Sequence, residues 1–195
     1  MPVHASTNLQ SYGNDGFSLL QHYADKVSST VIGMTNKKAK SIAMFAIDIF
    51  KKWQKRRLNK FTLKDQGLEV FKSMYRECAL LLVQTMVYAF RADGKIQNDE
   101  IRSMHEFYKQ ILGRDDVRGI IDAMLTKNLD PHELKMQLKY SEEALDVYML
   151  SAYILDKENF MDANYLENLA ASLRIEPSLQ RTLDDNVRSI KAMAV

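Results

Sequence analysis

Asp93-Gly94-Lys95-Ile96-Gln97-Asn98-Asp99-Glu100 sets an acid, a turn glycine, an apolar anchor and a second acid in the order used by the back half of a calcium-binding EF-hand loop. Asp93 takes loop position five, Gly94 six, Ile96 eight and Glu100 twelve. The front half does not follow. Ala89 and Arg91 stand at positions one and three, where carboxylates belong, and Arg91 puts a positive charge where the cation would sit. The stretch therefore predicts an acidic helix–loop–helix corner rather than an EF-hand. It also predicts a positive φ at Gly94, because glycine alone adopts that conformation cheaply.

A second corner lies further along. Leu80 to Ile111 matches Glu143 to Leu173 as an imperfect internal repeat. Met86 pairs with Met149, Ala89 with Ala152 and Asp93 with Asp156 at one constant offset. The second loop is one residue shorter, after which Glu100 pairs with Asp162, Met104 with Leu166, Phe107 with Leu169 and Ile111 with Leu173. Two copies are too few for a solenoid. They predict two similar helical hairpins packed face to face, with the acidic corners in related positions. The second corner, Asp156-Lys157-Glu158-Asn159-Phe160-Met161-Asp162, lacks the glycine.

At these residues the chain resembles the TerB-like proteins, named for tellurite resistance, and among them the YebE-like inner-membrane branch. The motifs are Ala92-Asp93-Gly94-Lys95-Ile96 with Asp99-Glu100, and Tyr165-Leu166-Glu167-Asn168-Leu169-Ala170-Ala171-Ser172-Leu173. The resemblance covers Tyr75 to Val187. It implies an all-helical domain whose two acidic corners form a cation-binding or otherwise functional cluster. Carried over by position, this designates Asp93, Glu100, Asp156, Glu158 and Asp162, with Ca²⁺ or Mg²⁺ as the fitting divalent cation. The sequence departs from the pattern in lacking glycine after Asp156 and in having Asp at 162. The bland alternative is that Asp93 and Asp156 cap their turns, while Glu100 and Asp162 complement helix N-termini.

Elsewhere the pattern is helical throughout, and the fold class is all-α. Leu68 to Arg91 is apolar at nearly every turn and predicts the central buried helix. Asn98 or Asp99 opens a helix that runs to Leu112 and stops at Gly113, and Val117 to Leu125 forms a short one. Asp130-Pro131-His132-Glu133 places an N-cap, a proline at the first helical position and an acid at the third. Ser141 opens a helix to Leu155, Met161 to Arg174 follows, and Pro177 begins the last, to about Met193. The organisation read from this is a disordered lead over 1–16, a basic helical segment over 17–66 and the TerB-like domain over 67–195. A short amphipathic helix is expected over Phe17 to Ser29, a break over Val31 to Asn36, and Phe61 to Gly67 is the expected linker.

Lys37 to Lys60 is the second feature of note. Ile42, Ala46, Ile49 and Trp53 recur at helical spacing, and Phe45 and Phe50 widen the stripe. Lys37, Lys38 and Lys40 precede it, and Lys51, Lys52, Lys55, Arg56, Arg57 and Lys60 follow. Three readings are open. The stripe packs on the bundle, it sinks into an anionic membrane with Phe45 and Trp53 immersed, or the cations bind nucleic acid. The last is disfavoured because Trp53 alone offers base stacking.

Composition narrows the function. Of 195 residues 46% are hydrophobic, ample for a core, while three prolines and seven glycines favour long helices. The single Cys78 excludes an internal disulfide and lies in an apolar run. His4, His22, His105 and His132 are scattered, so zinc is disfavoured. No nucleophile elbow or phosphate-cradling loop occurs, and the expectation is a protein that is not an enzyme. Charge is uneven: residues 1–75 hold 12 Lys or Arg against 5 Asp or Glu, and the remainder 15 against 20. That asymmetry suggests two functional surfaces. No secretory signal is visible, and the longest apolar stretch, Cys78 to Phe90, is well short of the ~20 residues a spanning helix needs. The expected protein is a cytoplasmic binding or scaffold module, peripheral at the inner membrane, linked to envelope or metal stress, with a protein or an anionic membrane surface as partner.

Overall fold

The computed structural model describes residues 37–58, 63–92, 94, 96–97, 100–101, 104, 117–128 and 130–194. All regular structure among them is α-helical. In chain order the helices are α1 (Lys37–Leu58), α2 (Leu63–Arg91), α3 (Val117–Thr126), α4 (Pro131–Met136), α5 (Ser141–Ile154), α6 (Phe160–Leu173) and α7 (Pro177–Met193). Glu100, Ile101 and Met104 are also helical. The expected lead, the helix over 17–29, the break over 31–36 and the far end of the helix after the first corner lie outside the described residues, as do Lys60, Phe107 and Ile111.

Two helices form the centre, and they are the equivalent first helices of the repeat. α2 packs against α1, α3, α4 and α5, while α5 packs against α1, α2, α6 and α7. Surrounded on several sides, each must be apolar around most of its circumference. Leu81 to Phe90 of α2 is buried without interruption, and so is Leu150 to Ile154 of α5. The paired positions share this fate: Ala89 and Ala152 are both buried, as are Met104 and Leu166. Cys78 is fully enclosed on α2, and burial pushes its thiol up to about 12, so it stays protonated and packs as a small apolar group.

Helix ends follow the sequence signals closely. Asp130 accepts the His132 N–H at 2.9 Å with Pro131 at the first helical position of α4. Pro177 starts α7, and Asn159 caps α6 by accepting from Met161 N–H at 2.9 Å. α5 begins at Ser141 as expected, with Tyr140 at the N-cap position and Glu143 reaching back to accept the Lys139 and Tyr140 N–H groups. One boundary differs from expectation. Gly67, expected to end a linker, lies inside α2, which begins at Leu63. A glycine in a helix costs about 1 kcal/mol relative to alanine, which the packing of a long apolar helix outweighs.

The basic helix α1 lies antiparallel on α5. Ile42, Ala46, Ile49, Phe50 and Trp53 are all buried, the last fully, so the apolar stripe is core. Phe45 stacks on Tyr153 with ring centroids 4.7 Å apart, and Ser41 Oγ shares a 2.8 Å hydrogen bond with the Tyr153 hydroxyl. Toward the other end Trp53 Nε1 donates to Asp146 Oδ2 at 2.8 Å, and Lys52 Nζ donates to Oδ1 at 2.6 Å. Last, Arg57 donates two parallel hydrogen bonds to Glu143, at 2.8 and 2.7 Å, with side chains only 3% and 0% exposed. This bidentate pair is geometrically ideal and charge-assisted. Immersion of Phe45 and Trp53 in lipid requires both on the surface; Trp53 is instead enclosed in the core, and Phe45 is half-buried against Tyr153.

A buried pair is destabilising to break, because removal of one partner strands the other charge away from water. Arg57→Met should therefore cost about 3–5 kcal/mol in urea unfolding. Adding Glu143→Gln should restore part of that, since the amide oxygen can still accept the Lys139 N–H. A double variant no more stable than Arg57→Met would contradict the stranded-charge account. Gly94 offers a separate check on backbone geometry. It adopts φ +71°, as expected from the sequence, and a Cβ there would meet nothing within 4 Å. The penalty for Gly94→Val should thus be conformational alone, about 1 kcal/mol or more, with Gly94→Asn costing appreciably less. Equal stabilities of the three proteins would show that this turn does not hold its left-handed backbone.

Candidate functional site: the two acidic corners

The corners are built by one local device. In the second, Asp162 sits in the first turn of α6, 4% exposed, and its Oδ2 accepts the Asp156 N–H at 2.9 Å. In the first, the equivalent Glu100 is 5% exposed, and its Oε2 accepts the Gln97 N–H at 3.3 Å. Each acid thus reaches back and ties the loop that precedes its helix, as a carboxylate at a helix N-terminus favours. Asp156 Oδ1 in turn accepts the Glu158 N–H at 3.0 Å, closing a tight turn that replaces the missing glycine. Asp156 and Glu158 are exposed, and Asp93 lies outside the described residues.

The vacant front half of the EF-hand pattern has a structural explanation. Arg91, at loop position three, turns away from the corner. Its guanidinium donates to the carbonyl of Met124 at 2.9 Å and also to that of Lys127, capping the C-terminal end of α3. A cation suits that end of a helix, where carbonyls lack intrahelical partners.

Two lysines join the corners. Lys38 Nζ, on α1, lies 3.5 Å from Glu100 Oε1. Lys191 Nζ, near the end of α7, donates to the Leu155 carbonyl at 2.8 Å and lies over the Tyr153 ring, 5.9 Å from its centroid. Burial holds the Lys191 ammonium below the ordinary lysine range; Asp156 and Asp162 act in the opposite direction, and Lys38 adds to the lowering. Glu100 of the first half thus faces Lys38, while Asp156 and Asp162 of the second act on Lys191. Among the described residues no group of three His, Cys, Asp or Glu side chains is placed to hold a metal ion. Beside the second corner lies a cleft of about 220 Å³ lined by Asp156, Lys157, Asp184, Arg188 and Lys191 among others. Asp184 ties its wall together, accepting from the Tyr148 hydroxyl at 2.8 Å and from Lys157 Nζ.

The cations of α1 divide into two groups. Lys37, Lys38, Lys52 and Lys55 are exposed, while Lys40, Lys51 and Arg56 are half-buried and Arg57 is buried. The partners that sequence reading missed are Glu143, Asp146 and Lys191. The first two left a signal: acids three residues apart on a helix otherwise apolar, against Trp53 and Arg57 four apart on α1. Lys191 left none, since a lysine in the last turn of an exposed-looking helix is ordinary.

No solved structure matches the chain. It is 29% identical over 111 residues, 56% of its length and 79% of the relative's, to a protein of Yersinia enterocolitica described as "Uncharacterized protein in ampR 5'region". The family described as "Protein of unknown function (DUF533)" matches residues 9–187, a span that takes in α1 as well as both corners. The chain thus belongs to the DUF533 family, a TerB-like family of all-helical architecture.

Proposed function

We propose that this protein is a non-enzymatic binding or scaffold module, on the YebE-like side of its family, whose two acidic corners form one cation-responsive end of the bundle. The observation that supports the reading is the lysine pair: Lys38 beside Glu100, and Lys191 under the influence of Asp156, Asp162 and Lys38. Each corner has a lysine of its own, and the two ammonium groups act on one another as like charges. Glu100, Asp156 and Asp162 do not stand as one ligand set in this structure, so a divalent Ca²⁺ or Mg²⁺ would take the place of the ammonium groups only as these acids draw together, with Asp93 and Glu158 supplying further oxygens. A link to envelope or metal stress follows from such a site. The non-enzymatic part of the proposal draws on the use of the buried charges: Arg57, Glu143 and Asp146 all bond between helices, and Glu100 bonds across to α1.

The reading is tested by melting with and without millimolar Ca²⁺ or Mg²⁺, at matched ionic strength. A ligand held only by the native state at 100 times its Kd adds about 2.7 kcal/mol. The divalent-dependent rise should be modest in the wild type and larger in Lys38→Met/Lys191→Met, where nothing neutralises the acids. Absence of a divalent-specific rise in both proteins would dispose of the cation site.

Peripheral contact with an anionic membrane is the second reading, and the exposure of Lys37, Lys38, Lys52 and Lys55 along one helix favours it. With Trp53 closed in the core, the attraction is electrostatic, about 1 kcal/mol for each cation near the surface. Sedimentation with phosphatidylserine vesicles should then occur at low salt and disappear by roughly 0.5 M NaCl, where the screening length is only a few ångströms. A wild-type protein that stays in the supernatant at low salt has no such contact.

A further inference from the structure

The end of α5 opposite the corners carries an open groove of about 570 Å³. Ala144, Leu173 and Ile175 are buried in its floor, Leu138 and Leu145 are half-buried, and Leu179 is 39% exposed at its lip. A groove so lined removes one face of a guest from water, which fits the apolar stripe of a helix; an acyl chain is better served by an enclosed cavity.

The rim is cationic. Lys135 and Arg174 line the groove and enter no ion pair among the described residues. Behind it, Arg56 lies over the ring of the lining residue Tyr140, 6.0 Å from its centroid. Lys139 already pairs with Glu77 at 3.0 Å. Glu142 is the one acid among the described lining residues, and it is exposed. Arg174 adds an independent sign. It ends α6 in left-handed backbone, φ 57°, a position at which glycine is the ordinary residue. The chain holds a long cation there at a conformational cost.

We propose that this groove docks a partner's amphipathic helix, its apolar stripe seated between Leu145, Leu173 and Leu179 and its flanking acidic residues facing Arg174 and Lys135. The inference gives the binding-module reading a partner chemistry, but it rests on the groove and not on the corners. It is therefore measured with a chelator present, so that its failure is separable from failure of the cation site.

The test uses the full chain and two fluorescent helical peptides of about four turns. Both carry the same leucine stripe; one is flanked by glutamates and the other by lysines, and anisotropy reads binding. The acidic peptide should bind at least tenfold more tightly. Leu179→Asp, at an exposed position, should abolish binding without unfolding the bundle. Arg174→Gly should weaken the acidic peptide severalfold while leaving the melting temperature equal or higher, because glycine relieves the left-handed backbone. That separation of affinity from stability is the decisive result. Equal binding of both peptides, binding of neither, or full affinity in Arg174→Gly overturns the proposal. So does cross-linking of the chain's own residues 17–29 into the groove, which would make it an internal seam.

Discussion

The joint between α1 and α5 holds the architecture together. Arg57 with Glu143, and Trp53 and Lys52 with Asp146, set two turns of a basic helix against two turns of an acidic-apolar one. The polar contacts alone do not account for its importance, since a buried ion pair is weak evidence of net stabilisation. Its effect is to fix register. With a one-turn slip, Glu143 would lose its guanidinium and Trp53 its acceptor, while the Phe45–Tyr153 stack at the other end would part. The burial of Trp53, Phe50 and Ile47 supplies the larger favourable term, on the order of 1.5–3 kcal/mol for each side chain. Polar pairing then selects the one alignment in which that burial is complete.

The repeat explains why the two ends of the bundle differ. α2 and α5 are equivalent, and each leads into a corner where an acid ties the preceding loop. The equivalence stops at the first turns: Glu143 and Asp146 correspond to Leu80 and Val83. From these first turns α5 therefore offers buried acids to α1 where α2 has apolar residues. An approximate two-fold unit becomes an asymmetric bundle through two side chains. The corners, by contrast, keep their acids in both copies, with Lys38 beside Glu100 and Lys191 acted on by Asp156 and Asp162.

Much of this was legible in the sequence, and the boundary between what was and was not is physical. Signals that act within a few residues came through intact: Asp130-Pro131 and Pro177 at helix starts, and Gly94 as the positive-φ residue. The stripe Ile42, Ala46, Ile49, Trp53 was legible as a face, but not what it faces, because periodicity carries no information about the partner. The uneven charge along the chain suggested two separate surfaces. Three of the twelve cations in residues 1–75, Lys38, Lys52 and Arg57, meet Glu100, Asp146 and Glu143 from the acidic portion within the fold. Gly67 misled for the reverse reason: a local breaker was overruled by the packing of a long helix. Of the candidate site, the equivalence of Glu100 and Asp162, each buried and tying back its loop, was readable from the repeat. Lys191 was not, since it reaches the corners only through the return path of α7.

The α1–α5 joint also bears on how the chain is made. Its bonds connect residues 86, 93 and 112 positions apart. Such long-range closure is slow, since loop-closure entropy must be overcome before the contacts form. During synthesis from the N-terminus, α1 and α2 emerge first, and Arg57 and Trp53 have no acid to meet until α5 follows. For that interval a helix with a wide apolar face and several cations is only half covered. Exposed apolar surface of this kind is what chaperones recognise and what drives association of nascent chains. The same placement that fixes register in the finished bundle thus makes its first helix a late arrival, locked only after most of the chain has been translated.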